Sequence, residues 1–167
     1  MKVYLVRHAD AGEPDPKLFP DDRLRPLSAD GKKDMAAVAR GMNRLGIEFD
    51  AILASDYLRA RQTAECICDV YGISAATIET LPELGAEVDP AQTAIALRKV
   101  QGRSQIMLVG HQPHLGRFVG YLIAGNPDIQ LEIKKAGVCC LGVSRYAAGG
   151  ATLLWAVPPT VLREIAL

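Results

Sequence analysis

The sequence predicts a three-layer α/β/α sandwich around a mostly parallel central sheet. Short apolar runs suited to buried strands recur at Lys2–Val6, Ala51–Ala54 and Ile106–Val109. Segments with the 3.6-residue apolar period of amphipathic helices lie between them. Alternation of strands and helices in this way gives a parallel sheet with helices packed on both faces.

The first strand, Lys2–Val6, runs directly into Arg7-His8. A Pro-rich, charge-mixed stretch from Glu13 to Pro26 follows and reads as a long surface loop. Ser28 is placed to cap a helix, because its side-chain oxygen can accept from an amide of the first turn. Met35, Val38, Ala39, Met42 and Leu45 form the apolar stripe of that helix, and Gly46 stops it. The second strand, Ala51–Ala54, leads into Ser55. A helix over Leu58–Tyr71 turns Ala60, Ala64, Ile67 and Tyr71 to one face and ends at Gly72. A further helix fits Pro90–Val100, with Asp89 as its cap, the proline in its first turn and Gly102 beyond its end. The third strand, Ile106–Val109, runs into Gly110-His111. Val138–Ser144 and Ala151–Val157 flank Gly149-Gly150 and predict a hairpin at the sheet edge.

With 167 residues, 49% of them hydrophobic and 23% charged, the chain is expected to form one domain over residues 1–167 with a substantial core. Its 19 Lys and Arg balance 19 Asp and Glu. No bulk positive field is therefore available for nucleic acid or an anionic membrane, and neither is an expected partner. An anionic ligand must be gripped by a few placed cations. The apolar run before Arg7 is four residues long, far short of a signal-peptide core, and no stretch is long enough to span a bilayer. Cys66 with Cys68, and adjacent Cys139 and Cys140, match neither a zinc pattern nor a disulfide framework. A reducing cytoplasm is the expected setting, and the cysteines read as structural.

In open α/β sheets ligands bind beyond the carboxyl ends of the strands. Here those ends are marked by Arg7-His8, by Ser55 followed by Arg59, and by Gly110-His111. If the strands are neighbours, two imidazoles and two guanidiniums converge on one pocket. Two arginines grip a tetrahedral oxyanion through fork-shaped donors, which points to phosphate. Phosphoryl transfer depends on positioning and on neutralising the equatorial oxygens, work that arginine and histidine can do without a metal. Adjacent guanidiniums disfavour a protonated His8 and keep it in the free-base form that attacks phosphorus. The expected intermediate is a covalent phosphohistidine, which water then hydrolyses.

The segments Val-Arg-His-Ala-Asp-Ala from Val6, Ser-Asp-Tyr-Leu-Arg-Ala-Arg-Gln-Thr-Ala from Ser55 and Val-Gly-His-Gln-Pro-His from Val109 resemble the signatures of the histidine phosphatase superfamily. The likeness spans nearly the whole chain in the right order. The short length and the Arg-His-Ala form resemble the SixA-type phosphohistidine phosphatases. This resemblance implies a phosphoglycerate mutase-like fold and no metal or organic cofactor. It also implies that His8 is the phosphoryl acceptor, that Arg7 and Arg59 hold the phosphoryl oxygens, and that His111 completes the phosphate pocket. Ala9 departs from the superfamily's common glycine, and Asp56 stands where many relatives have proline.

Members that cleave alkyl phosphates typically use a carboxylic acid after the second motif. Glu83 sits at the matching place, with Glu87 and Asp89 as nearby alternatives. An alkoxide leaving group needs general acid help, worth ~10²–10⁴-fold, whereas an imidazole of pKa about 6.5 needs less. SixA-type enzymes characteristically lack that acid. The expected activity is removal of phosphate from histidine on a partner protein such as a phosphotransfer domain. The alternatives are a small-phosphoester monoesterase using Glu83 and a silent phosphoprotein-binding module. The presence of all four pocket residues argues against the last.

Plainer roles compete at several positions. Arg7-His8 alone would pass for surface groups at a strand end. Arg59 would pass for an exposed first-turn arginine without the motif around it, and Arg61 reads as a solvated helix residue. The spacing of His111 and His114 suggests a metal pair, but no companion cluster supports one. His114 reads as a supporting or rim residue near a helix start. Asp10 either orients a catalytic side chain or faces solvent, and Lys134-Lys135 either attract an acidic substrate or cap a strand entry.

Overall fold

The computed structural model describes residues 1–167 and contains a six-stranded sheet and five α-helices. In chain order these are β1 (Lys2–Arg7), α1 (Ala29–Arg44), β2 (Ala51–Ala54), α2 (Leu58–Tyr71), β3 (Glu79–Thr80), α3 (Pro90–Leu97), β4 (Gln105–Gly110), α4 (His114–Ala124), β5 (Val138–Val143), β6 (Ala151–Val157) and α5 (Pro159–Ala166). The strand order is β3-β2-β4-β1-β5-β6. The first four strands are parallel. β5 runs antiparallel to β1, and β6 to β5, so the expected hairpin forms the edge of a mixed sheet.

Alternation on β1 builds the two halves of the core. Tyr4 and Val6 pack with Met35, Val38 and Met42 of α1, Ala60 and Ile67 of α2, and Leu162 of α5. Val3 and Leu5 pack on the other face with Ala94 and Leu97 of α3 and with Leu115 and Phe118 of α4. The period of two along a strand thus commits each side chain to one of two helical layers.

The three marked strand ends lie side by side. Val109 pairs with Val6 on one side and with Ala54 on the other, which brings β1, β4 and β2 to an end at one level. Pairing continues one residue further, with His8 N donating to Gly110 O at 2.9 Å and Ser55 N donating to Val109 O at 3.0 Å. The backbone therefore carries His8 and Ser55 into the site already in register.

Some elements differ from expectation. The α-helix from Pro90 stops at Leu97, and a 3-10 turn over Arg98–Val100 completes the stretch. Leu45 is not on the buried stripe of α1; it is the C-cap residue and 51% exposed. β3 and α5 are not among the expected elements, and of α4 only the start near His114 is. α4 keeps a regular apolar stripe of Leu115, Phe118, Val119 and Leu122, and Gly116 and Gly120 are needed because the following segment lies directly on the helix. A Cβ at Gly116 would fall 2.3 Å from Leu131 O, and one at Gly120 only 1.7 Å from Ile129 O. No helix is long and apolar enough to cross a membrane. All four cysteines are free.

Candidate active site

His8 follows the last residue of β1 and is 8% exposed. Its Nδ1 lies 2.7 Å from the carbonyl of Ala9, so Nδ1 carries the hydrogen and donates it. The lone pair is then on Nε2, which accepts from Nε of Arg59 at 3.3 Å. Burial is the largest force on the ring and, with the guanidiniums of Arg59, Arg7 and Arg25, lowers its pKa to about 4, against the Ala9 bond that opposes the shift. Burial thus outweighs the neighbouring charges as the reason that this histidine stays neutral.

Arg59, in the first turn of α2, is 5% exposed and not the solvent-facing residue that its position alone suggests. Its guanidinium lies over the Tyr57 ring at 4.8 Å. Nη1 donates to the backbone carbonyl of Asp22 at 2.8 Å, and Nη2 pairs with the Asp22 carboxylate at 3.0 Å. Arg7 donates through Nη1 to Ile133 O at 2.9 Å, while its Nε is buried with no protein partner.

His111 is 2% exposed, with its ring centroid 5.1 Å from that of His8 and 4.5 Å from that of Tyr57. Its Nε2 is 2.9 Å from Ser55 Oγ, which accepts from the amide of Tyr57 at 3.3 Å. Of the two acceptors beside the Ser55 hydroxyl, His111 Nε2 at 2.9 Å is closer than Asp56 Oδ1 at 3.5 Å, and a hydroxyl hydrogen pointed at Nε2 leaves Nδ1 as an N–H donor. That Nδ1 is buried and has no partner. Burial, and then the His8 and Arg59 neighbours, hold the ring far below the usual histidine range. Two buried donors, Arg7 Nε and His111 Nδ1, therefore lie unpaired beside the neutral His8 ring, an arrangement that suits an oxyanion.

The second motif also braces the site. Thr63 Oγ1 accepts from Ala9 N at 3.1 Å and donates to Arg59 O at 2.7 Å, joining the first motif to the second. Gln62 accepts from Leu27 N at 2.8 Å. Arg61 is not simply solvated: it pairs with Glu65 and donates to the carbonyl of Ala75 at 3.0 Å. Asp10 accepts from Ser28 Oγ at 2.9 Å and pairs with Lys135 at 2.8 Å. These two partners lower its carboxyl to about 2. Asp10 therefore ties the cap of α1 to the loop after His8 and touches no catalytic nitrogen. Lys134 pairs with Glu132 on the surface.

His114 is fully buried and not a rim residue. Nδ1 bonds Val88 O at 2.9 Å and Nε2 meets Thr93 Oγ1 at 3.1 Å. With both nitrogens engaged it does not pair with His111 around a metal, and no group of three or more His, Cys, Asp or Glu side chains is placed to hold one. Thr93 Oγ1 also donates to the backbone carbonyl of Glu83 at 2.6 Å. The 3-10 turn Pro82–Leu84 is thus anchored through its backbone and presses on the end of β4, where a Cβ at Gly110 would lie 3.3 Å from Leu84 O. The Glu83 side chain is half-buried. Asp89 caps α3 through Ala91 N at 2.7 Å, and Glu87 is exposed.

Asp22 and Arg25 escaped the sequence reading. Arg25 is 7% exposed; its Nε donates to Asp22 Oδ1 at 2.7 Å, and its Nη1 to the carbonyls of Ala11 and Gly12 at 2.9 and 2.7 Å. The mixed charges of Asp-Asp-Arg-Leu-Arg hint at ion pairs, but an irregular loop has no period to show which residues turn inward. The end of the stretch Glu13–Pro26 therefore reaches the site, through Asp22 and Arg25 and a short 3-10 turn at Asp22–Leu24.

Comparison with known proteins bears on the family and the fold. The family model for the histidine phosphatase superfamily (branch 1) matches residues 3–91. An uncharacterized protein of Picosynechococcus sp. is 33% identical over 156 residues, covering 89% of this chain and 90% of that protein. The phosphohistidine phosphatase SixA of Escherichia coli is 26% identical over 165 residues, covering 98% and 97% of the two chains. The solved structure of the protein histidine phosphatase SixA complexed with tungstate superposes with a TM-score of 0.84 at 25% identity, covering 97% of this chain and 99% of that one.

Proposed function

Because this chain belongs to the histidine phosphatase superfamily, as a SixA-like phosphatase, we propose that it removes phosphate from histidine on a partner protein through a phosphohistidine intermediate on His8. The observation that carries this reading is the His8 ring: Nδ1 is bonded to the Ala9 carbonyl and Nε2 is left as a buried free base beside Arg59. The Nε2 lone pair attacks phosphorus, the bond from Nε2 to phosphorus forms and the bond from phosphorus to the substrate imidazole breaks. The substrate ring, protonated on its other nitrogen, keeps that electron pair and departs as neutral imidazole. In the second step water attacks phosphorus, the bond to Nε2 breaks, and inorganic phosphate leaves with His8 restored.

Arg7 and Arg59 neutralise the phosphoryl oxygens, and His111 Nδ1 donates to one of them. These steps route through no metal ion. An imidazole leaving group, unlike an alkoxide, demands little from a general acid. Likeness to SixA over almost the whole length supports a protein-borne phosphohistidine as the substrate.

The test offers the purified chain a histidine-phosphorylated phosphotransfer domain alongside sugar and nucleotide phosphates. The expected result is turnover of the protein substrate, with label trapped on His8 and absent from His8→Ala. Preference for the small phosphoesters, with a large loss of that activity in Glu83→Gln, would overturn the substrate assignment.

A further inference from the structure

Arg59 differs from the other donors of the site. Arg7 Nε and His111 Nδ1 are unpaired, whereas each nitrogen of Arg59 already has a partner. Nε is on His8, Nη1 on the Asp22 carbonyl and Nη2 on the Asp22 carboxylate. The same carboxylate bridges to Arg25 through its other oxygen at 2.7 Å. An anionic group thus already spans two buried guanidiniums beside the nucleophile. A phosphoryl group attacked by His8 Nε2 must come within reach of the guanidinium that holds both His8 and Asp22. A dianion and a carboxylate on that one cation repel each other.

Resting on the phosphatase reading above, we propose that Asp22 is a place-holding carboxylate. It occupies Arg59 in the free protein, yields that guanidinium to the phosphoryl group, and returns to it as inorganic phosphate leaves. The side chains differ in freedom as this exchange requires: that of Asp22 is 47% exposed, while those of Arg59 and Arg25 are buried. The carboxylate can rotate into water while the backbone bond from Arg59 Nη1 to Asp22 O keeps the turn in place. Contacts of Arg25 with the Ala11 and Gly12 carbonyls anchor the same loop independently of the carboxylate.

The sign of one substitution separates this role from a merely structural one. If Asp22 only ordered Arg59, its loss would weaken anion binding; if it holds the anion's place, its loss strengthens binding. Calorimetric titration of inorganic phosphate and vanadate into the full chain is expected to give binding tighter by on the order of tenfold in Asp22→Asn than in the unaltered chain, the scale of one like-charge contact near a surface. Product inhibition by phosphate should strengthen in parallel, and Asp22→Glu should restore the original affinity. Equal or weaker binding by Asp22→Asn overturns the proposal.

A second measurement needs no variant. During phosphate titration of the unaltered chain, the carboxyl carbon signal of Asp22 should move toward that of a free aspartate, and a signal that stays fixed overturns the proposal. Failure of the unaltered chain to bind phosphate or to label His8 would instead sink the phosphatase reading itself.

Discussion

Burial of His8 between the Ala9 carbonyl and Arg59 sets the pH range over which the residue can act. Since Nε2 must be unprotonated to attack, and the ring titrates at about 4, the rate of phosphoenzyme formation should stay level as pH falls from 7 through the ordinary histidine pKa of about 6.5. It should fall only as pH approaches 4. Rapid-quench measurement of label on His8 across this range checks it; a midpoint near 6.5 would mean a solvated ring. The four pocket residues were legible because three strand ends carry them in motifs. The tautomer was not, since it depends on which backbone oxygen meets Nδ1. Asp22 and Arg25 were hidden because their places are fixed by three-dimensional pairing within an aperiodic loop.

Among the elements, α2 does most to assemble the site, because one turn of it places Arg59 on His8 and Thr63 as a brace between Ala9 and Arg59. Thr63→Val keeps the shape but leaves the Ala9 amide without its acceptor. It should destabilise the chain by about 1–3 kcal/mol and lower turnover by loosening the loop after His8. Urea denaturation alongside a kinetic assay checks both. α1 is positioned by two close approaches. A Cβ at Gly31 would lie 2.1 Å from Asp10 O, and one at Gly41 would lie 2.0 Å from Leu162 O. Gly41→Ala must therefore push α5 away and should destabilise by roughly 1–3 kcal/mol or more, with a fall in melting temperature but little change in phosphate affinity. α1 and α2 were readable from their stripes and stop signals. β3, two residues long, carries too little pattern to read without the strand it meets, whereas the stripe Leu115, Phe118, Val119 and Leu122 made α4 legible from its start near His114.

For the molecule as a whole, the same burial that keeps His8 reactive makes the fold sensitive to acid. His8, His111 and His114 all have lowered pKa values with burial as the leading cause. As pH drops below about 6.5 the unfolded chain binds protons that the folded chain refuses. Stability present above that pH is therefore lost on acidification, for His8 down to about 4. The slope should approach about 1.4 kcal/mol per pH unit for each histidine, and urea midpoints at neutral and mildly acidic pH will show it. A flat profile would contradict the burial of all three. The sheet order has a different consequence, one of timing. β1 lies between β4 and β5, so Lys2 finds its partners only at Gln105 and Gly142. Translation at about 5–20 residues per second leaves that strand without a neighbour for roughly 5–20 s. A ribosome stalled before Gln105 would hold a chain that has His8, the proposed nucleophile, but neither His111 nor the neighbours of β1, with the apolar strand open to chaperones.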